Sequence, residues 1–168
     1  MINKKVCELI NSQINKELES AYLYLGFANY FTEKNLDGFA HWYKVQANEE
    51  VDHAKRFINY LHQNGCMVKL CKIDVVDDDF DDNLEVLSKG LQHEMYITSL
   101  INNIYKEAVE ERDVRTQNFL DWFIDEQAEE EENAQKLLDN YNMFVCECKN
   151  GCVCGLYEMD KTLGERKN

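Results

Sequence analysis

The sequence contains no proline and only seven glycines among 168 residues. Proline breaks helices and glycine weakens them, so their scarcity, together with long segments of helical period, predicts an all-α protein. No apolar run reaches the roughly 20 residues that a membrane-spanning helix needs. The first residues, Met1–Glu8, lead into no uninterrupted apolar stretch of a secretory signal. We therefore expect a cytoplasmic protein with no membrane partner.

Positive charge is also scarce. Lys and Arg number 18 against 32 Asp and Glu, which gives a formal net charge of -14. Such a surface repels the phosphates of nucleic acids and anionic membranes, so neither is an expected partner. Cations remain the natural ligands. Most of these acids need no explanation beyond solvation, and the informative ones are those on apolar helix faces.

Four long stretches carry apolar residues at steps of three and four, as the inner face of a helix bundle requires. Each stripe is interrupted near its middle by residues that can bind a metal. The stripes are Ile10, Ile14, Glu17, Ala21, Tyr24, Ala28 and Phe31; Phe39, Tyr43, Gln46, Glu50, His53, Phe57 and Tyr60; Leu84, Leu87, Leu91, Glu94, Thr98, Ile101, Tyr105 and Ala108; and Phe123, Gln127, Glu130, Ala134, Leu137 and Tyr141. A buried ionised carboxylate needs a cation or a donor partner, so the interruptions predict a metal site.

The capping signals place these polar interruptions at similar heights in the bundle. Glu17, Glu50, Glu94 and Gln127 each lie roughly a dozen residues from a helix start, about 18 Å along the axis. Neighbouring helices would therefore present them to one another near the middle of the bundle. The candidate starts are Asp37-Gly38 for the second helix, a capping box of Asp82 with Glu85 for the third, and Asp113 or Thr116 for the fourth.

The lengths of the connections predict the topology. Short loops at 33–36 and 111–114 make the helices that they join antiparallel, whereas the segment Gly65–Asp81 can extend roughly 55 Å and run the whole length of the bundle. We expect part of it, Val68–Ile73, to lie extended against a neighbouring hairpin or subunit. The predicted fold is an up-down-down-up four-helix bundle over residues 1–144. A cysteine-rich connector and a short fifth helix follow over 145–168.

One Glu on each of two helices, with paired ligands on the other two, matches the carboxylate di-iron architecture. The residues concerned are Glu17, Glu49-Glu50-x-x-His53, His93-Glu94, Glu126-Gln127-x-Glu129-Glu130 and the final stretch Leu156–Arg166. On these residues the chain resembles the non-haem bacterial ferritins over nearly its whole length. The resemblance implies a ferritin-like fold.

The resemblance also implies a di-iron centre within one subunit. Glu17, Glu50 and His53 would hold one iron. Glu50 would bridge to a second iron, held by Glu94 and Glu130. Hard oxygen ligands with one imidazole suit Fe(II), and suit Fe(III) better still.

Further site residues follow from the same resemblance. Gln127 would lie beside the metal pair and hydrogen-bond to ligands or bound oxygen. Tyr24 either packs in the core or donates a hydrogen bond or an electron. Glu49, Glu126 and Glu129 would form a third iron site on the cavity side, and solvated surface acids are the competing interpretation.

The chain departs from the haem-containing relatives that it also resembles. Bacterioferritins would have a second Glu-x-x-His in the last long helix, where this chain has Glu130, and a haem-binding methionine where it has Asp52. We therefore expect no haem. His41, His62 and His93 point away from the stripes and are interpreted as surface histidines.

The cysteine-rich tail departs from the non-haem family as well. Four thiolates around a short turn can bind a soft metal such as zinc, copper(I) or an iron–sulfur centre. The alternatives are reduced thiols near a subunit junction and disulfides formed after purification. These cysteines are Cys146, Cys148, Cys152 and Cys154, whereas Cys7, Cys66 and Cys71 are dispersed and interpreted as ordinary.

Two functions remain open. The first, which the resemblance implies, is a ferroxidase that oxidises Fe(II) with O2 or H2O2 and stores ferric mineral inside a homo-oligomeric shell of 24 subunits. The second is a passive metal-binding or metal-sensing bundle, in which the inner acids bind iron without turnover.

Overall fold

The structure of the chain is a computed structural model that describes residues 2–74, 79–146 and 153–167, except for the side chains at 146 and 153. All regular structure in these ranges is helical, which confirms the all-α prediction. None of the helices in this part of the chain is long and apolar enough to cross a lipid bilayer. The elements are α1 (Lys4–Glu33), α2 (Asp37–Gln63), α3 (Asn83–Glu110), α4 (Val114–Tyr141), a π-helical turn (Asn142–Cys146) and α5 (Val153–Leu163).

Side-chain caps fix the starts of α3 and α4. Asp82 accepts a hydrogen bond from the backbone N–H of Glu85 at 2.9 Å, and the Glu85 carboxylate accepts one from the N–H of Asp81 at 2.8 Å. This is the predicted capping box with its return bond shifted by one residue. At the start of α4 the side chain of Asp113 accepts from the N–H of Thr116 at 3.1 Å. Asp113, rather than Thr116, is therefore the cap.

Helix α2 is capped by another helix. Its N-cap residue, Leu36, offers no side-chain acceptor. Instead Asp160 of α5 accepts a hydrogen bond from the N–H of Phe39 at 3.0 Å. A Cβ added at Gly38 would overlap the carbonyl oxygen of Asp160, so the two helices approach at a position where only glycine fits. The start of α2 and the position of α5 thus depend on each other.

The four long helices form two antiparallel pairs, α1 with α2 and α3 with α4, and α1 also packs against α3. Within the connection from α2 to α3, residues 69–71 lie along α1. Asn11 and Asn15 both donate to the carbonyl oxygen of Lys69 at 3.0 Å. Their own side-chain oxygens accept from the N–H groups of Lys69 and Cys71, at 2.7 and 2.6 Å. Two asparagines on α1 therefore supply the backbone partners that an extended segment needs.

A disulfide joins Cys7 of α1 to Cys66, just after α2, with the two Cα atoms 6.4 Å apart. The interpretation of these two cysteines as ordinary was wrong. They are 59 residues apart in sequence, and only the antiparallel pairing of α1 with α2 brings them together.

Among the described residues, the core consists of two apolar clusters with a polar layer between them. One cluster lies toward α5 and is rich in aromatic rings, and the other lies toward the disulfide. The first includes Phe27, Phe31, Phe39, Tyr43, Leu87 and Tyr141, and the second includes Ile10, Ile14, Phe57, Leu61, Ile101 and Phe123. The polar layer falls near the midpoint of each long helix, where the four stripes are interrupted.

Candidate metal centre

The polar layer brings together the inward-facing residues of all four long helices. Each of them exposes 5% or less of its surface, so their polar atoms depend on one another or on a ligand. They are Glu17 on α1, Glu50 and His53 on α2, Glu94 on α3, and Gln127 and Glu130 on α4.

One group in this layer has the composition of a cation site. Glu17, Glu50 and His53 each offer one ligand atom, and these atoms all lie within 4.8 Å of one another. Gln13 donates to Oε1 of Glu17 at 2.9 Å, whereas the buried Oε2 of Glu17 has no hydrogen-bond partner. A buried carboxylate oxygen beside a second carboxylate and an imidazole is stabilised by a cation, so these residues fit an iron ion.

A second group shares the same histidine. His53, Glu126 and Glu130 also offer three ligand atoms within 4.8 Å of one another. The Nδ1 atom of His53 lies 3.3 Å from Oε2 of Glu50, and its Nε2 atom lies 3.7 Å from Oε1 of Glu126. The imidazole therefore stands between the two groups. Gln46 donates to Oε2 of Glu130 at 2.8 Å and holds that carboxylate in place.

Glu94 lies in neither group. Its Oε1 atom accepts a hydrogen bond from the hydroxyl of Tyr24, and its Oε2 atom accepts one from Nε2 of Gln127 at 3.2 Å. The same amide also lies 3.3 Å from the hydroxyl of Thr98. Tyr24 thus both packs in the core and binds a predicted ligand.

Burial dominates the electrostatics of the four inner acids. It raises the pKa of Glu17, with a further contribution from the charge of Glu50, and it raises the pKa of Glu50, with a further contribution from Glu94. The pKa of Glu94 is raised by burial as well. Burial and then the charge of Glu94 raise the pKa of Glu130 to about 7. The acids are therefore reluctant to ionise together without a cation.

The three acids predicted for a third site differ in exposure. Glu129 is exposed, Glu126 is half-buried next to His53, and Glu49 is half-buried and paired with Arg166. Glu49 and Glu126 line a surface pocket of about 420 Å³ that also includes His53. The described contacts bring two of the three acids to the same pocket as the inner histidine.

His93 is not a surface histidine as predicted. It lies partly buried between α1 and α3, where a ring nitrogen is 2.7 Å from the hydroxyl of Ser20. Burial, and next the charge of Lys16, lower its pKa to about 4. The antiparallel packing of α1 on α3 covers this position, although it lies outside the stripe. His41 is half-buried against the C-terminal tail, and His62 is exposed.

Most of the predicted cysteine cluster lies outside the described residues, since this is the case for Cys148, Cys152 and the side chain of Cys146. Cys154 is described and is exposed. No soft-metal site is supported by the described residues, in which the cysteine pairing is the disulfide near α1.

Sequence reasoning missed the residues that orient the ligands. Gln13 and Gln46 support Glu17 and Glu130, and Trp122 packs its ring edge-on to His53 with centroids 5.6 Å apart. The two glutamines carried a signal, because each precedes a predicted ligand of its own helix by four residues, which is about one turn. Trp122 carried none, because its contact depends on how α4 packs against α2.

Comparisons of the sequence and of the structure with known proteins match the same family. The ferritin-like domain family matches residues 7–144. The bacterial non-heme ferritin of Bacteroides fragilis is 37% identical over 99% of this chain and 100% of its own length, and that of Campylobacter jejuni is 36% identical over 86% of each. Among solved structures, the open-pore ferritin of the archaeon Archaeoglobus fulgidus superposes with a TM-score of 0.94 at 35% identity, covering 99% of this chain and 100% of that one.

Proposed function

Since the chain belongs to the ferritin-like family, we propose that it oxidises ferrous iron at the polar layer of its bundle and stores the ferric product. Membership of the family and the fold support the storage role. The observation that carries the oxidation step is the group of Glu17, Glu50 and His53. Its three ligand atoms lie within 4.8 Å of one another, and the buried Oε2 of Glu17 lacks a partner.

Iron is the substrate in this proposal. Glu17, Glu50 and His53 hold one ferrous ion, and Glu50 with Glu94 and Glu130 holds the other. Each ferrous ion loses one electron. With O2 as oxidant, the two electrons and two protons convert one O2 to H2O2; with H2O2 as oxidant, they yield two molecules of water.

The surrounding side chains orient the ligands, and the ligands themselves lose protons when iron binds. Gln13 fixes Glu17, and Gln46 fixes Glu130, so neither carboxylate has to be ordered when iron arrives. Tyr24 and Gln127 hold Glu94, which must exchange these hydrogen bonds for a metal bond. The raised pKa values mean that iron binding displaces protons from the acids.

We assign Glu49, Glu126 and Glu129 to a third iron site, next to the proposed pair. The pocket that Glu49 and Glu126 share with His53 supports a short path for ions between the inner layer and the surface. Carboxylates along such a path bind cations weakly and pass them on.

We also propose that the chain assembles into a homo-oligomeric shell of 24 subunits. Large apolar side chains on α1 and α3 are roughly half exposed, namely Tyr22, Leu25, Met95 and Tyr96. Surfaces of this kind are typically covered by a partner. Native mass spectrometry measures the number of subunits directly.

The sequence also leads us to propose a soft-metal site at the C-terminal cysteines and a cytoplasmic location. A soft metal at Cys146, Cys148, Cys152 and Cys154 is tested by elemental analysis of protein purified without oxygen, with and without these cysteines. A cytoplasmic location is tested by cell fractionation. Disulfides are rare in reducing compartments, so the state of Cys7 and Cys66 in freshly lysed cells bears on the same question.

The experiment that separates the two candidate functions is simple. Ferrous iron is added to the metal-free protein without oxygen, and air is then admitted. We expect oxygen consumption much faster than in buffer, followed by a ferric mineral that stays with the protein. Oxidation at the buffer rate, with iron bound, would instead identify a passive metal-binding bundle.

A further inference from the structure

The last residues of the chain are held against α2 by several independent contacts. Asp160 caps α2 through Phe39, and Gly38 leaves the space for that approach. Arg166 lies beyond α5, and its carbonyl oxygen accepts a hydrogen bond from a ring N–H of His41 at 2.8 Å. The tail therefore follows α2 from its first turn toward the middle of the helix.

These contacts also fix the side chain of Arg166. Its guanidinium carbon lies 4.1 Å from the centre of the Trp42 ring, and Nη1 donates to the carbonyl oxygen of Trp42 at 3.4 Å. A guanidinium stacked on an indole is held in orientation as well as in position. Its side chain is 17% exposed, so it is much less solvated than an ordinary surface arginine.

The free edge of this guanidinium pairs with an acid assigned to metal binding. Nη2 of Arg166 lies 2.7 Å from Oε2 of Glu49. Glu49 lines the pocket that has His53 and Glu126 among its walls. A metal cation on Glu49 and the guanidinium would compete for the same carboxylate, because both are positively charged and both need its oxygens.

We propose that Arg166 is a displaceable counter-ion of Glu49. A metal ion must displace the guanidinium from this carboxylate to bind at the outer end of the pocket. This positioning residue lowers the affinity of the outer site, so that ions leave it readily in either direction. The inference rests on the proposed function for the metal site at Glu49 and for the identity of the ion as iron. The competition itself applies to any divalent cation.

A purely structural role for Arg166 makes a different prediction. If the arginine only fastens the tail to α2, its removal loosens α5 and leaves cation binding unchanged. Measurements of cation affinity and of tail stability therefore distinguish the two roles.

The test is a thermodynamic cycle with Zn²⁺, which binds oxygen and nitrogen ligands without redox change. Isothermal titration of the metal-free protein is carried out on the parent, Arg166→Gln, Glu49→Gln and the double variant. All four proteins carry serine in place of Cys146, Cys148, Cys152 and Cys154, so that the proposed soft-metal site does not bind Zn²⁺. We expect Arg166→Gln to tighten the weaker class of sites, which is the one at the outer end of the pocket, about three- to ten-fold and to leave all the inner sites unchanged. Glu49→Gln should weaken that class, and adding Arg166→Gln to it should then have no effect.

Two controls complete the cycle. Lys161→Gln removes the same charge from an exposed position on α5 and should leave the weaker class within about two-fold of the parent. Arg166→Lys keeps the charge but loses the planar stacking, so it should fall between the parent and Arg166→Gln. Circular dichroism and the size of the assembly identify any variant that has not folded. If all folded Arg166 variants bind Zn²⁺ like the parent, the proposal is wrong.

Displacement of the guanidinium can also be detected by fluorescence, without a measurement of iron oxidation. Trp42 lies under Arg166, and Trp122 is the only other tryptophan in the sequence. The background is a Trp122→Phe protein, and its own Zn²⁺ affinities are measured first because Trp122 packs on His53. In this protein Zn²⁺ should change the Trp42 emission over the concentration range of its own weaker binding, and adding Arg166→Gln should abolish that change. A protein that shows this coupling but no fast iron oxidation would refute the proposed function and keep the counter-ion. A protein that oxidises iron fast but shows no such change in Trp42 emission would refute the counter-ion and keep the proposed function.

Discussion

The two halves of the polar layer hold their acids in different ways. In the His53 half, which consists of Glu17, Glu50 and His53, two carboxylates and an imidazole face one another, and one buried oxygen has no donor. In the Gln127 half, which consists of Glu94, Gln127 and Glu130, both carboxylates accept hydrogen bonds from neutral donors.

This difference sets what a metal ion gains in each half. A cation in the His53 half relieves charge repulsion and satisfies an oxygen that otherwise has no partner. A cation in the Gln127 half must first replace the hydrogen bonds that occupy both carboxylate oxygens of Glu94. The His53 half should therefore bind a metal ion more tightly and tolerate substitution less well, and substitutions in each half test that difference.

The largest effect is expected at Glu50, which is proposed to bridge both halves. Glu50→Ala removes a ligand from each metal at once, so fast oxidation of ferrous iron should drop by about 100-fold or more. Stopped-flow measurement of oxygen-dependent iron oxidation tests this. The protein should stay folded, because the carboxylate is itself costly to bury. Glu8→Ala, an exposed change at the far end of α1, is the control. Parent-like oxidation in Glu50→Ala would remove Glu50 from the mechanism.

The second prediction separates the halves by affinity. Glu17→Gln should remove the tighter class of inner zinc sites, whereas Glu130→Gln should weaken the other class and leave the tight class within a few-fold of the parent. Both changes keep the shape of the side chain, so packing is matched. We expect a difference of at least about ten-fold between their effects on the tightest site. Equal losses in the two variants would mean that the halves act as one site.

Much of this layer follows from local rules that the sequence displays. The period of the stripes and the caps at Asp82 and Asp113 determine which face of each helix is buried and at what height its acids lie. These are properties of one helix at a time. For that reason the position of Glu50 at the centre of the bundle was predictable.

Most of the features that escaped prediction depend on contacts between elements, and the hydrogen bond from Gln13 to Glu17 within α1 is an exception. Tyr24 was a candidate hydrogen-bond donor, but its partner, Glu94, lies on another helix. The pair of Arg166 with Glu49 joins residues 117 apart in sequence. Periodicity says which face of a helix is buried, but it does not say which neighbour a side chain meets. The asymmetry between the two halves is therefore a property of packing.

The third prediction concerns pH. Because Glu130 has a pKa of about 7 in the folded protein and an ordinary value near 4.5, the folded state binds more protons than the unfolded state between these values. Its contribution to the stability of the metal-free protein is present below about pH 4.5 and is lost as the pH rises through about 7. Between pH 5.5 and pH 8, the Tm of the metal-free parent should fall about 5 °C more than that of Glu130→Gln.

Two comparisons make this pH effect specific. Glu132→Gln changes an exposed acid of the same helix and should follow the parent. With excess Zn²⁺ the trend should reverse, because the metal binds the deprotonated acids and gains affinity as the pH rises. Differential scanning calorimetry measures all of these transitions. A parent and a Glu130→Gln protein that respond identically to pH would place the titration on other groups.

The smallest effect is expected from Tyr24, which acts on Glu94 only through one hydrogen bond. Tyr24→Phe frees a carboxylate oxygen, so the Gln127 half should bind Zn²⁺ a few-fold more tightly while the metal-free protein loses about 1 kcal/mol of stability. The His53 half should not respond. If Tyr24 instead supplies an electron, the variant should bind Zn²⁺ like the parent, oxidise ferrous iron more slowly, and lose a tyrosyl radical signal by electron paramagnetic resonance. Tighter Zn²⁺ binding in Tyr24→Phe would show that the hydroxyl restrains Glu94. Slower oxidation with loss of the radical signal would show that the hydroxyl takes part in the reaction.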